Sequence, residues 1–243
     1  MLKCYIGREL VFSLGVGLML LTTGCVSTVH PPIHFDSSTY ANGDQHLTEM
    51  LSPEVAKSNY FKMLKKWTRH KEVFSHFEGR LFVSSTLLTP EVEVARSKHH
   101  QHTLNLSNME LAKLVENKLV HSAQSYLFFV TLSSSDLPKL QKTNTSKRSI
   151  ADVQGTEDEL RVHLMIDNHQ LSPTKIDMLS FKRAQSLIDD FPYISPVKTG
   201  YWIYFAVPEK LRYNELEKTT HKFTLRFSSI PATAMLEWDV VIY

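Results

Sequence analysis

Twelve histidines in 243 residues is a high count, and four of them sit where they could meet. His99, His100 and His102 cluster at the end of one helical segment, and His121 ends the next. Imidazoles suit Zn²⁺ or Cu²⁺ and need no thiolate to bind them, so these four are the candidate metal ligands. Against that, the His-His-Gln-His run lacks the i, i+4 spacing of two ligands on one helix face. It also has no evident carboxylate beside it to orient the rings. An exposed polar turn is the competing reading. A second candidate is the run Tyr201-Trp202-Ile203-Tyr204-Phe205. In a strand it places Tyr201, Ile203 and Phe205 on one face and Trp202 with Tyr204 on the other. One face must be core. The other, joined by Tyr193, is either an aromatic platform for a glycan or peptide or a surface covered by helices. The familiar catalytic patterns are missing: there is no G-x-S-x-G, H-E-x-x-H, C-x-x-C or P-loop, so a non-enzymatic role is expected.

The elements that must position these residues are legible in part. Ser52-Pro53 and Thr89-Pro90 each pair a capping hydroxyl with a proline where no N–H is needed, and each opens a helix. The first is expected to carry one apolar face through Tyr60, Leu64, Trp67, Phe74 and Phe77, and to end at Gly79. Its lysines read as the solvated face, with anionic headgroups as the sharper alternative. The second is expected to end near Lys98, which leaves the histidine run in a turn. Ser107 to Glu110 is a capping box opening a third helix, about Asn108 to Ser122.

From Tyr126 onward the pattern becomes strand-like. Tyr126 to Ser133 reads as a central strand covered on both faces, and residues 139–156 as an exposed loop carrying Lys139, Lys142, Lys147 and Arg148. Leu160 to Asp167 alternates, with Ile176 to Phe181 expected as its partner. A short helix, about Lys182 to Asp189, and the Phe191 to Pro196 corner lead into strand Gly200 to Val207. Strands through Phe223-Leu225-Phe227 and Ala234 to Ile242 close the chain. The expected class is α+β: an antiparallel β-sandwich of immunoglobulin-like architecture, about seven strands, with two or three N-terminal helices packed on it.

The N-terminus carries an address. Lys3 and Arg8 precede the uncharged run Val11 to Leu21, and Thr22-Thr23-Gly24 precedes Cys25. The apolar run is short of the ~20 residues a permanent span needs and suits a cleaved signal peptide. The small residues ending in Gly-Cys resemble the lipobox of bacterial lipoprotein precursors, although Thr22 stands where leucine is usual. The resemblance implies cleavage after residue 24 and acylation of Cys25. Val26 stands where aspartate is the usual inner-membrane retention signal, so the resemblance favours the outer membrane, on its periplasmic face. Lipobox, Trp67-Thr68-Arg69, the proline-bracketed corner and a closing Leu-x-Trp strand together resemble a group of uncharacterised bacterial lipoproteins. That likeness implies no activity.

Cleavage after residue 24 removes Lys3, Arg8 and Glu9, taking the formal charge from +2 to +1. That near-neutral balance gives no electrostatic case for nucleic acid. On that resemblance Cys4 would leave with the leader and Cys25 would be acylated, so no thiol would remain for a disulfide or metal. The expected organisation is a signal peptide (1–24), an acylated cysteine with a flexible tether (25–50) and one globular domain (51–243). The expected role is binding or scaffolding of an envelope component at the membrane; a histidine-based metal protein and an enzyme of unrecognised family are the alternatives.

Overall fold

The computed structural model describes residues 30–41, 51–75, 78–133, 160–228 and 233–243. Cys25, most of the expected tether and the basic loop at 139–156 lie outside these. The chain divides into a unit ending at Pro31 and a second running from Pro32 to Tyr243, which holds every element below.

The second unit begins with β1 (Ile33–Phe35), α1 (Ser37–Ala41), α2 (Pro53–Trp67), β2 (Thr68–Ser75) and β3 (Glu78–Leu87). Next come α3 (Pro90–Thr103), α4 (Asn108–Gln124), β4 (Ser125–Ser133), β5 (Arg161–Ile166), β6 (His169–Leu171) and β7 (Lys175–Met178). It closes with α5 (Phe181–Gln185), β8 (Thr199–Ala206), β9 (Thr220–Ser228) and β10 (Thr233–Ile242). The fold is α+β with two five-stranded sheets. One is ordered β1-β10-β9-β5-β6 and the other β2-β3-β4-β8-β7. All pairings are antiparallel except β1 on β10.

The two sheets share one core. On β10 the buried set Ala234, Leu236, Trp238, Val240 and Ile242 alternates with exposed Met235, Glu237 and Asp239. This sheet therefore has one wet face. The second sheet supplies Tyr126, Phe128 and Val130 from β4 and Tyr201, Ile203 and Phe205 from β8. The Phe128 ring meets Trp238 at 5.7 Å and the Tyr126 ring meets Phe223 at 5.3 Å. Trp238 Nε1 donates to the Trp67 carbonyl at 2.9 Å, so the deepest indole of one sheet is fixed to the end of α2. The opposite face of β4 is largely buried as well, with the Phe129 ring stacked at 4.1 Å on Phe191 of the corner after α5. β4 is thus a covered central strand, as its continuous apolar run requires.

Helix starts follow the sequence closely. Ser52 and Thr89 accept from the N–H of Val55 and Val92, each followed by proline. The Ser107 and Glu110 side chains cap one another's backbone reciprocally. Helix α3, wedged between α2 and α4, buries Val92, Glu93, Val94, Ser97 and Gln101 around much of its circumference.

Five expectations need correction. Helix α2 stops at Trp67 rather than running to Phe77. The Thr68 hydroxyl bonds to Leu64 O and to Thr86 Oγ1, both at 2.7 Å, and the chain turns straight into β2 against β3. Helix α3 runs on to Thr103, so the histidine run is helical and not a turn. Asn105 then closes it in the left-handed region, φ 51°, which asparagine tolerates. Strand β7 pairs with β8 in the other sheet, and β5 pairs instead with β6 and β9. Ile33–Phe35, placed in the tether, forms a strand whose Ile33 and Phe35 are buried in the core. Ten strands lie among the described residues against about seven expected, the additions being the short β1 and β6 and the polar β2.

Candidate functional site

Trp202 and Tyr204, two of the expected site residues, lie on the helical side of the β4–β8 pair. Strand register decides which side chains arrive there. Phe129 lies opposite Trp202 and Leu127 opposite Tyr204, so these four project together, away from the inter-sheet core.

The Trp202 ring packs on Phe129 at 4.8 Å and Phe191 at 5.7 Å, and the Arg96 guanidinium lies over it at 5.8 Å. Tyr193 stands beside this group, its ring 6.0 Å from Phe129 and its hydroxyl 2.7 Å from Thr86 Oγ1. Burial pushes the Tyr193 phenol far up, which keeps it a neutral hydrogen-bonding group. Tyr204 stands two residues from Trp202 on the same face, with Lys175 Nζ 5.2 Å from its ring. The aromatic set is therefore split: Trp202 and the corner's own Tyr193 pack against Phe129 and Phe191, whereas Tyr204 opens on a cavity.

The histidines also separate. The His99 ring stacks on Tyr60 at 5.4 Å, and burial with the neighbouring His100 pushes its pKa down. His100 Nε2 donates to Asp190 at 2.5 Å, and His102 Nε2 donates to the Leu51 carbonyl at 2.7 Å. His121 stands apart on the last turn of α4. Among the described residues no group of three or more His, Cys, Asp or Glu side chains is placed to hold a metal ion.

Asp190, only 4% exposed, ties this layer together. It accepts from Arg96 Nη2 at 2.7 Å and Nε at 3.2 Å as well as from His100. Its backbone carbonyl takes the Tyr60 hydroxyl at 2.8 Å. Burial raises the carboxyl, and the His100 bond with the Arg96 charge outweighs that and holds it below the ordinary aspartate value. Burial likewise opposes the Arg96 charge, but Glu93 and Asp190 keep the guanidinium protonated. Both Arg96 bonds fall on Oδ2 while His100 takes Oδ1, and this charge-assisted pair joins α3 to the corner.

Beyond Trp202, the same face opens into a cavity of about 300 Å³ lined by Leu88, Glu93, Lys118, His121, Ser122, Ser125, Leu127 and Tyr204. Glu93 is 3% exposed. Lys118 Nζ lies 3.3 Å from its Oε2 but off the line of a hydrogen bond, so that oxygen has a charge partner and no donor. The floor is apolar, from Leu88 and Leu127, and Tyr204 forms an aromatic wall. A second, mainly apolar cavity of about 260 Å³ lies on the other side of α4, lined by Phe35, Tyr40, Leu119 and Tyr213 among others.

His121 and Tyr204 were expected in different sites and share the first cavity. Glu93, Lys118, Arg96 and Asp190 were missed. One signal for Glu93 was present: Glu93, Ser97 and Gln101 recur at i, i+4, i+8, a polar row along a helix that is otherwise packed. The partners Lys118 and Asp190 carry no local mark.

No protein-family model matches this sequence, and no curated protein matches it. Among solved structures it is similar to a Burkholderia pseudomallei protein of unknown function. The two are 12% identical over 76% of this chain and 89% of that one, with a TM-score of 0.34.

Proposed function

We propose that this chain is an envelope lipoprotein, acylated at Cys25 and held on the periplasmic face of the outer membrane, whose folded unit binds a ligand or partner without chemical turnover. The anchor half of the reading is supported by the Gly24-Cys25 signal and the residue that follows it. Two acyl chains, at about 0.8 kcal/mol per buried methylene, make such attachment durable. The binding half is carried by the α3–α4/β4–β8 cavity, where a buried carboxylate keeps a hydrogen-bonding oxygen without a donor. His100 and Arg96, the groups best suited to acid–base or anion chemistry, are both committed to Asp190. The sheet pair is an immunoglobulin-like sandwich in this reading, with the helices forming a third layer that encloses the cavity.

Replacing Cys25 with alanine is expected to abolish radiolabelled palmitate incorporation and release the protein from the membrane fraction. Label persisting on the variant would refute the anchor. Specific hydrolytic turnover by the purified wild-type protein would refute the non-enzymatic half.

A further inference from the structure

The cavity beside Tyr204 narrows the kind of ligand that the binding reading can hold, and the inference rests on that reading. Its lining carries two charges of opposite sign, Glu93 and Lys118, and their oxygen and nitrogen stand 3.3 Å apart. A ligand bearing only a cation gains Glu93 and meets Lys118; one bearing only an anion meets the reverse. A neutral apolar ligand leaves the Glu93 oxygen without a donor in a buried place, with only the nearby Lys118 charge to offset its desolvation. A molecule carrying both charges side by side answers the whole set.

We propose that this cavity binds a free α-amino acid with an apolar side chain. From standard bond lengths and the angle at Cα, the ammonium nitrogen and carboxyl carbon of an amino acid lie about 2.5 Å apart, with the carboxylate oxygens slightly beyond. That separation matches the Glu93–Lys118 pair. Laid antiparallel, the ligand ammonium donates to Glu93 Oε2 and the ligand carboxylate accepts from Lys118, giving four alternating charges at the corners of a square. Glu93 Oε2 is itself covered, so the Glu93 carboxylate turns toward the cavity as the ligand seats, while Lys118 stays beside it. The ammonium supplies the donor that Glu93 Oε2 lacks. Leu88, Leu127 and the Tyr204 ring then face the side chain. A volume of about 300 Å³ stands at the small end of ligand pockets, which run from roughly 300 to 1,000 Å³. His121 and Ser122 stand on the α4 side of the same cavity.

The test is isothermal titration calorimetry on the full-length acylated protein in detergent, with L-leucine and L-phenylalanine as probes. Leucinamide, which lacks the carboxylate, and 4-methylpentanoate, which lacks the ammonium, serve as controls. At least one amino acid is expected to bind, with each control at least tenfold weaker. Glu93→Gln and Lys118→Met should each weaken that amino acid at least tenfold, and a thermal melt of each variant checks that it is folded. The analogue pair tests the same two charges in wild-type protein should a variant not fold. Absence of heat from both amino acids would overturn the proposal, as would equal binding of a control or full binding by folded Glu93→Gln. Cross-linking in intact cells separates this from the broader reading: a recurrent envelope partner with no amino-acid binding overturns the ligand class and leaves a binding lipoprotein standing.

Discussion

Truncating Trp202 to alanine distinguishes a packed indole from a ligand platform. The ring packs on Phe129 at 4.8 Å and Phe191 at 5.7 Å, lies under the Arg96 guanidinium at 5.8 Å, and is half-buried. A fully buried tryptophan truncated to alanine costs about 3 to 5 kcal/mol. Partial exposure lowers that, while two lost ring pairs at about 0.5 to 1.5 kcal/mol each account for much of what remains. Arg96 keeps Asp190 and Phe191, so no buried charge is stranded. The expected loss is therefore about 3 kcal/mol, which in a domain of this size lowers the melting temperature by about 6 to 12 °C. Thermal unfolding followed by circular dichroism reads this directly. Emission should also shift to the blue, because the indoles that remain, Trp67 and Trp238, are fully buried. A melting temperature within about 1 °C of wild type would refute the packing argument and return Trp202 to the platform.

Asp190→Asn leaves the half-buried Arg96 without its hydrogen-bonding carboxylate, and urea unfolding should show a loss of about 3 kcal/mol, the low end for a broken buried pair. Replacing Arg96 by methionine in the same chain should recover part of it; strictly additive losses would disprove the coupling. A pH dependence should come from His221. Burial opposes its charge, but the Asp167 hydrogen bond at 2.7 Å and the Glu217 carbonyl raise its pKa above the ordinary histidine value. Its contribution is fully present below about pH 6.5 and is lost as pH rises through the raised folded value. Asp167, held below the ordinary aspartate value by the same bond once its own burial is overcome, gives way only as the pH falls through that depressed value. His221→Gln should flatten the stability profile from about pH 6.5 upward, and an unchanged slope would remove His221 as its source.

Much of the fold was readable because its signals are local. A capping box is complete within four residues, and a proline beside a capping hydroxyl needs no distant partner, so α2, α3 and α4 start where their sequences say. Ends were harder. Trp67, Phe74 and Phe77 fit a helical face by spacing, and only pairing with β3 makes Thr68 onward extended. The partner of β7 was misread for the same reason, since neighbouring strands in sequence suggest a hairpin while the actual partner β8 lies past α5 and the proline corner. Strand β1 is three residues long and buries two, too little pattern to stand out from a polar arm. The cavity is the extreme case: Glu93, Lys118 and Tyr204 come from two helices and a strand, and only folding brings their chemistry together.

Strand β1 has a mechanical consequence. It lies parallel to the last strand of the chain, with Phe35 sunk in the core and Lys66 Nζ bonded to the His34 carbonyl at 2.7 Å. Tension arriving from the N-terminal side therefore acts along β1, loading the β1–β10 hydrogen bonds together in shear instead of opening them one after another. Under the proposed anchoring at Cys25, a pull on the folded unit would be resisted first at this three-residue clasp. Its rupture force would set how hard the domain can be pulled before its first strand peels away.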